Sequence, residues 1–136
     1  MTVFVCIDDR GGMLFNKRRQ SRDSRVIEDV ARTVGDGVLY ISDFSKILFE
    51  ESEASVISVP DPMESASEDG FAFVENQHLG EYLNKIDRLI IYKWNRKYPY
   101  DFSLDVEPTR AGFKRRSTRE FVGTSHDKIT REDYVR

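Results

Sequence analysis

Lys17, Arg18, Arg19, Arg22 and Arg25 crowd into "GGMLFNKRRQSRDSR", residues 11 to 25, with Asp23 as the single acid among them. Guanidinium groups are rigid forks that match phosphate and carboxylate. The stretch runs into a segment that reads as a helix from about Ser24, and the free N–H groups and dipole of a helix start favour the same negative charge. The chemistry this points to is anion binding, with Arg18, Arg19 and Arg22 as the contacts and Lys17 beside them. The competing reading is a solvated connection whose arginines pair with the acids of "FEESE" or "PDPMESASEDG". Surface pairs of that kind contribute about 0 to 1 kcal/mol each.

Other chemically capable residues fall at the ends of apolar runs. Asp8 and Asp9 close the first run, where they suit a metal ion or a general base, or a turn in which aspartate bonds its own backbone. No third carboxylate stands at a spacing that completes a metal site, so no metal is expected. Ser42 and Asp43 close a second run and read first as helix caps, then as ligand contacts. Lys93, Trp94 and Asn95 close the strongest run, where Trp94 can serve as core or as a stacking platform. The candidate ligand-binding set is therefore Asp9, Lys17, Arg18, Arg19, Arg22, Ser42, Asp43 and Trp94.

A second cation cluster, Lys114, Arg115, Arg116 and Arg119, lies in an alternating stretch that suits an edge strand, where such residues guard against intermolecular pairing. With Tyr98, Tyr100 and Phe102 it also has the mixture that single-stranded nucleic acid needs. His126, beside Asp127, sits in a polar turn without a catalytic motif. There is no Ser-His-Asp elbow, no glycine-rich phosphate loop and no dinucleotide fingerprint, and no cofactor is expected.

The elements that must position these groups follow from periodicity. "VFVCI" is a short continuous run, as in a strand buried on both faces. Val26, Ile27, Val30, Ala31 and Val34 share a helical face, with Ser24 as expected N-cap and Gly35 as terminator. "GVLYIS", "ASVISV", "FAFV" and "RLIIYKW" repeat the strand pattern. Helices are expected through Phe44, Ile47 and Leu48, and through Leu79, Leu83 and Ile86. Residues 95–112 read as irregular, 113–122 as an exposed edge strand, and "HDKITREDYVR" suits either strand or helix. Strands alternating with helices imply an α/β fold with a mainly parallel twisted sheet, the first and fifth strands central, and an antiparallel C-terminal edge. Ligands in such sheets sit beyond the carboxyl ends of the strands.

Whole-chain properties narrow the partners. The 136 residues carry a formal net charge of −3 and are 39% apolar and 33% charged, enough for one domain with one core. The pI near 5.5 provides no overall field for nucleic acid, so nucleic-acid binding is not expected outside a local basic patch. Cys6 is the only cysteine, which excludes an internal disulfide and suits the cytoplasm. No run approaches a membrane span, so no membrane partner is expected.

The order of these stretches resembles the dihydrofolate reductase fold. "TVFVCIDDRGGML" is similar to that family's first strand and following loop. "ASVISVPDPMESASEDGFAFVENQHLGEYL" is similar to its strand, proline-bearing loop, strand and helix, and "IDRLIIYKWNRKYPYD" to its later strand and aromatic loop. The resemblance implies a carboxylate that binds substrate, for which Asp23 is the nearest candidate at an offset about two residues longer than the family's. It also implies a Gly-Arg-Lys-Thr segment and a Gly-Gly turn that hold the nicotinamide cofactor. Here the first place reads "ISDFSK" and the second has no counterpart, so reduction of dihydrofolate is not expected. "GGMLFNKRRQSRD" with "SHDKITRE" also resembles a group of small Firmicutes-type bacterial proteins often labelled ribonuclease Z. That activity needs a His-x-His-x-Asp-His cluster for zinc, and the chain has only His78 and His126. The function expected is a module, non-catalytic or a degenerate enzyme, that binds a small anionic or nucleotide ligand at the strand carboxyl edge. The alternative is docking of residues 16–25 on a protein or RNA.

Overall fold

A computed structural model describes all residues, 1–136. Its strands are β1 (Thr2–Ile7), β2 (Gly12–Phe15), β3 (Arg18–Arg19), β4 (Val38–Ile41), β5 (Ser55–Ser58), β6 (Phe71–Phe73), β7 (Arg88–Lys93), β8 (Phe102–Ser103), β9 (Lys114–Phe121) and β10 (Ile129–Val135). Seven of them form one sheet in the order β5-β4-β6-β1-β7-β10-β9. β5 to β7 pair in parallel, and β10 and β9 join antiparallel. The expected α/β class, mainly parallel sheet and antiparallel C-terminal edge are all present, and the first and fifth strands expected from the sequence, "VFVCI" and "RLIIYKW", lie centrally as β1 and β7.

Alternation along the central strands builds a core on each face. Val3, Val5 and Ile7 of β1 join Leu89 and Ile91 of β7 on one side. Phe4 joins Ile90, Tyr92 and Trp94 on the other, where helix α1 (Ser24–Val34) supplies Val26, Val30 and Val34. Those three are spaced by four, one stripe of a helix. Gly35, at φ +58°, ends the helix in a left-handed conformation that glycine adopts without strain.

Several local expectations are corrected. The N-cap of α1 is Asp23, which accepts from the Arg25 N–H, rather than Ser24. The segments 43–49 and 80–85 are 3-10 helices, not α-helices, and a four-residue helix α2 (Pro62–Ser65) follows Asp61. "HDKITREDYVR" resolves as strand β10. The basic stretch is not a loop: β2 and β3 form a hairpin, and β8 completes a second, three-stranded sheet with them. Asn16 and Lys17 turn that hairpin at φ +52° and +62°, the two positive values that match a tight turn to strand twist.

Candidate active site in the carboxyl-edge cleft

The carboxyl ends of β1, β6 and β7 deliver Cys6, Phe73, Glu75 and Trp94 to one cleft, closed from above by β3 and the residues leading into α1. Met13, Val26, Ile27 and Leu48 add apolar walls; Arg19, Gln20, Ser21, Arg22 and Asp23 supply the polar ones. Its enclosed volume is about 20 Å³, room for about one water. Arg22, Asp23, Ile27 and Leu48 also border an open groove of about 1290 Å³ between α1 and residues 47–54. That groove bears Glu28, Asp36, Glu50, Glu51 and Glu53 against Arg22 and Arg32.

Asp23 joins the chain's two ends here. It accepts from the N–H groups of Arg25 (3.0 Å), Thr124 (2.9 Å) and Ser125 (2.8 Å), from the Thr124 hydroxyl (3.0 Å), and lies 2.9 Å from His126 Nδ1. A carboxylate offers about four lone-pair sites, so Asp23 is saturated. Burial pushes its carboxyl up, but the His126 contact and the backbone donors outweigh that and hold it far below the usual carboxylate range. Gly123 permits the closure: a Cβ there would stand 2.3 Å from Asp23 Oδ2.

His126 is 4% exposed. Its Nε2 lies 3.0 Å from Ser21 Oγ and 3.2 Å from the Tyr98 hydroxyl. The Trp94 ring stacks on it at 4.6 Å. With Nδ1 facing a carboxylate, the favoured tautomer carries the proton there and leaves Nε2 to accept. Serine, imidazole and carboxylate are thus in a hydrogen-bonded row. Cys6, also in the cleft, is no match as a nucleophile, because burial pushes its thiol well up and Glu75 adds to this.

The predicted ligand residues scatter. Arg19 turns inward, with its guanidinium paired to both oxygens of Glu75 at 2.9 Å and to the Phe44 carbonyl at 2.7 Å, over the Phe44 ring. Ser45 also donates to Glu75. Arg22 is exposed and lines both cleft and groove. Lys17 and Arg18 are exposed at the hairpin turn, away from the cleft walls. Asp9 is exposed, engaged through its N–H to the Arg96 carbonyl. Its neighbour Asp8 is buried and accepts from the N–H groups of Arg10, Gly12 and Tyr98 and from the Gln20 amide, the turn role foreseen for such an aspartate. Ser42 starts the first 3-10 helix without a side-chain cap, and Asp43 accepts from the Ser58 hydroxyl with Lys46 at 3.5 Å. Neither lines the cleft. Trp94 does.

Sequence reasoning missed Gln20, Ser21, Glu75 and the pairing of Asp23 with His126. Ser21 and His126 are 105 residues apart, and no local motif marks a contact of that separation. Gln20 carries a further signal: its Nε2 donates to Asp8 and to the Pro99 carbonyl, which orients the amide, and its Oε1 is buried without a donor. No group of three or more His, Cys, Asp or Glu side chains converges in metal-binding geometry.

No family model matches the sequence, and no curated protein matches it. Among solved structures, the chain is similar to dihydrofolate reductase from Enterococcus faecalis, determined in complex with NADP(H) and RAB-propyl, with a TM-score of 0.67 over 99% of this chain and 95% of that one at 9% identity. At that identity the likeness is one of architecture: the chain has a dihydrofolate reductase-like fold.

Proposed function

We propose that this protein binds a small ligand at the carboxyl edge of its sheet, with one anionic group held by Arg22 and one hydrogen-bond donor presented to Gln20. The observation that carries this reading is the Gln20 Oε1 atom, buried and without a donor on a residue that lines the cleft. A buried acceptor left unpaired costs about 1 to 3 kcal/mol, which a ligand N–H or O–H recovers. Arg22 is the cleft's exposed cation, since Arg19 is committed to Glu75. The cleft has room for little more than one small group, so the rest of the ligand lies in the adjoining groove, whose acids disfavour a long polyanionic tail; the ligand is short: a carboxylate, or a base with a single phosphate.

The fold neighbour was solved with NADP(H) and a small molecule, which supports a ligand-binding use of this architecture and nothing narrower. Reduction of dihydrofolate is disfavoured twice over. One cofactor-holding place reads "ISDFSK" and the other has no counterpart, and Asp23, the nearest candidate for the substrate-binding carboxylate, is saturated by this chain's own donors.

Thermal-shift titration with small carboxylates, phosphates and mononucleotides tests the reading. A ligand at 100 times its Kd stabilises by about 2.7 kcal/mol. The expected outcome is stabilisation by at least one such anion, lost in Arg22→Ala. No shift across the panel, or the same shift in Arg22→Ala, sinks it. A second reading, docking on an acidic protein or on RNA, is favoured by one observation: Lys17 and Arg18 project from the hairpin with no carboxylate in salt-bridge range. Binding of that kind would weaken steeply with salt and would be lost in a Lys17→Ala, Arg18→Ala variant but not in Arg22→Ala.

A further inference from the structure

We propose that Ser21, His126 and Asp23 form a nucleophilic triad, and that the cleft carries out acyl transfer on small esters. This rests on the same cleft admitting a small molecule, but asks more of it. Ser21 Oγ lies 3.0 Å from His126 Nε2, and His126 Nδ1 lies 2.9 Å from Asp23 Oδ2. A nucleophile within hydrogen-bond reach of a base, with the base oriented by a third group, is the signature of an activated serine, recognised by geometry and not by position in the chain.

The surroundings suit each role. Asp23 is held ionised by its donors, so it can stabilise the imidazolium that forms during attack. His126 is fixed between the Trp94 ring and that carboxylate. Ser21 is half-buried and lines the cleft, whereas His126 is buried behind it. The next two backbone N–H groups, of Arg22 and Asp23, make no hydrogen bond within the chain. They precede the start of α1 and are the donors available for a developing oxyanion.

The reaction balances with water as the only co-reactant. Ser21 Oγ attacks the ester carbonyl carbon while its proton passes to His126 Nε2. The tetrahedral adduct collapses, the bond to the leaving alcohol breaks, and His126 returns the proton to that oxygen. Water then attacks the acyl-Ser21 carbonyl, again giving its proton to His126, and as the adduct collapses the carboxylic acid departs while His126 returns the proton to Ser21 Oγ. The small volume of the cleft, about 20 Å³, restricts the acyl group to a short one with the leaving alcohol in the adjoining groove, and Arg22, which borders both, favours a substrate with an anionic part. Tyr98, at 3.2 Å from the same Nε2, competes with Ser21 for the imidazole lone pair and so lowers the activity of the resting site.

The experiment is active-site labelling of the purified chain with a fluorophosphonate and, separately, turnover of p-nitrophenyl acetate. The expected result is a single phosphonyl adduct mapped by peptide mass to Ser21, with hydrolysis reduced in His126→Gln by roughly 10² to 10⁴-fold, the range for loss of a general base. Ser21→Ala, at a half-exposed position, folds and forms no adduct, and Tyr98→Phe labels faster than the parent. Absence of an adduct at Ser21 in the folded parent overturns the proposal. So does labelling of Ser21 at the same rate in a folded His126→Gln. If His126→Gln does not fold, the parent's adduct site and the Tyr98→Phe rate decide. Anion binding measured on the parent separates the two readings: binding without an adduct at Ser21 leaves a binding site and no triad.

Discussion

The antiparallel half of the sheet and the cleft over its parallel half use charge differently. At the β9–β10 edge, every buried carboxylate is matched by cations. Asp133 meets Arg88, Arg116 and Arg131; Glu132 meets Lys93 and Arg115; Asp29, reaching from α1, meets Arg131, Arg119 and the Tyr92 hydroxyl. Arg115, Arg116 and Arg119 of the alternating stretch are thus cross-strand and inter-layer partners. In the cleft, by contrast, Gln20 Oε1 has no donor and the exposed Arg22 faces groove and solvent. Saturated valence marks a region whose charges hold the fold together. Unspent valence, at Gln20 and Arg22, is what the proposed ligand site rests on.

The largest test of that contrast is acid. For Asp23, Asp29, Glu132 and Asp133, burial pushes each carboxyl up and the donors around it outweigh burial, so all four titrate below their ordinary values. A depressed folded value means stability that is fully present above the unfolded value, near 4, and lost as pH falls toward the folded one. Urea midpoints are expected to hold from pH 7 to 5 and drop progressively below about 4. A midpoint unchanged at pH 3 breaks the account.

Next in size is Asp29→Ala. It strands Arg131 and the buried Tyr92 hydroxyl, and removing one partner of a buried pair costs about 3 to 5 kcal/mol. Equilibrium denaturation measures it, and the acid fall of this variant should be shallower than the parent's, because one depressed carboxyl is gone. A loss under about 1 kcal/mol means the edge network is ornamental. Smaller, at about 1 to 3 kcal/mol, is Gly123→Ala, since its Cβ would overlap Asp23 Oδ2 and Ile129. That variant should also shift the His126 ring resonances in an NMR spectrum, whereas Asp29→Ala should leave them in place. The smallest effect is a gain: Lys17→Gly relieves a left-handed lysine in the hairpin turn, stabilising by up to about 1 kcal/mol. Because it touches neither charged region, a loss of anion binding in this variant would move the ligand site from the cleft to the hairpin.

Much of the architecture was readable because burial on both faces leaves a direct trace. "VFVCI" and "RLIIYKW" are continuous apolar runs, and they became the central strands β1 and β7. The Val26, Val30, Val34 stripe became the buried side of α1. The hairpin of β2 and β3 was read as loop because its cations hid a two-residue turn, Asn16-Lys17, that lacks the usual glycine. The two short helices became 3-10 turns because six or seven residues between strands leave little room for a regular helix.

The functional residues divide along the same line. Composition and patterning determined the α/β class, the cation-rich approach to α1 and the placing of Trp94 at a strand end. These are local properties, written in neighbouring residues. Only the tertiary structure decided that Arg19 is spent on Glu75, that Gln20 is left with an unpaired oxygen, and that Asp23 caps α1 while gripping His126 from the far end of the chain. Partners separated by 56 to 105 positions leave no periodic or spacing signal. What brings them together is the sheet order, which lays the ends of β1, β6 and β7 side by side and folds the turn before β10 against the start of α1.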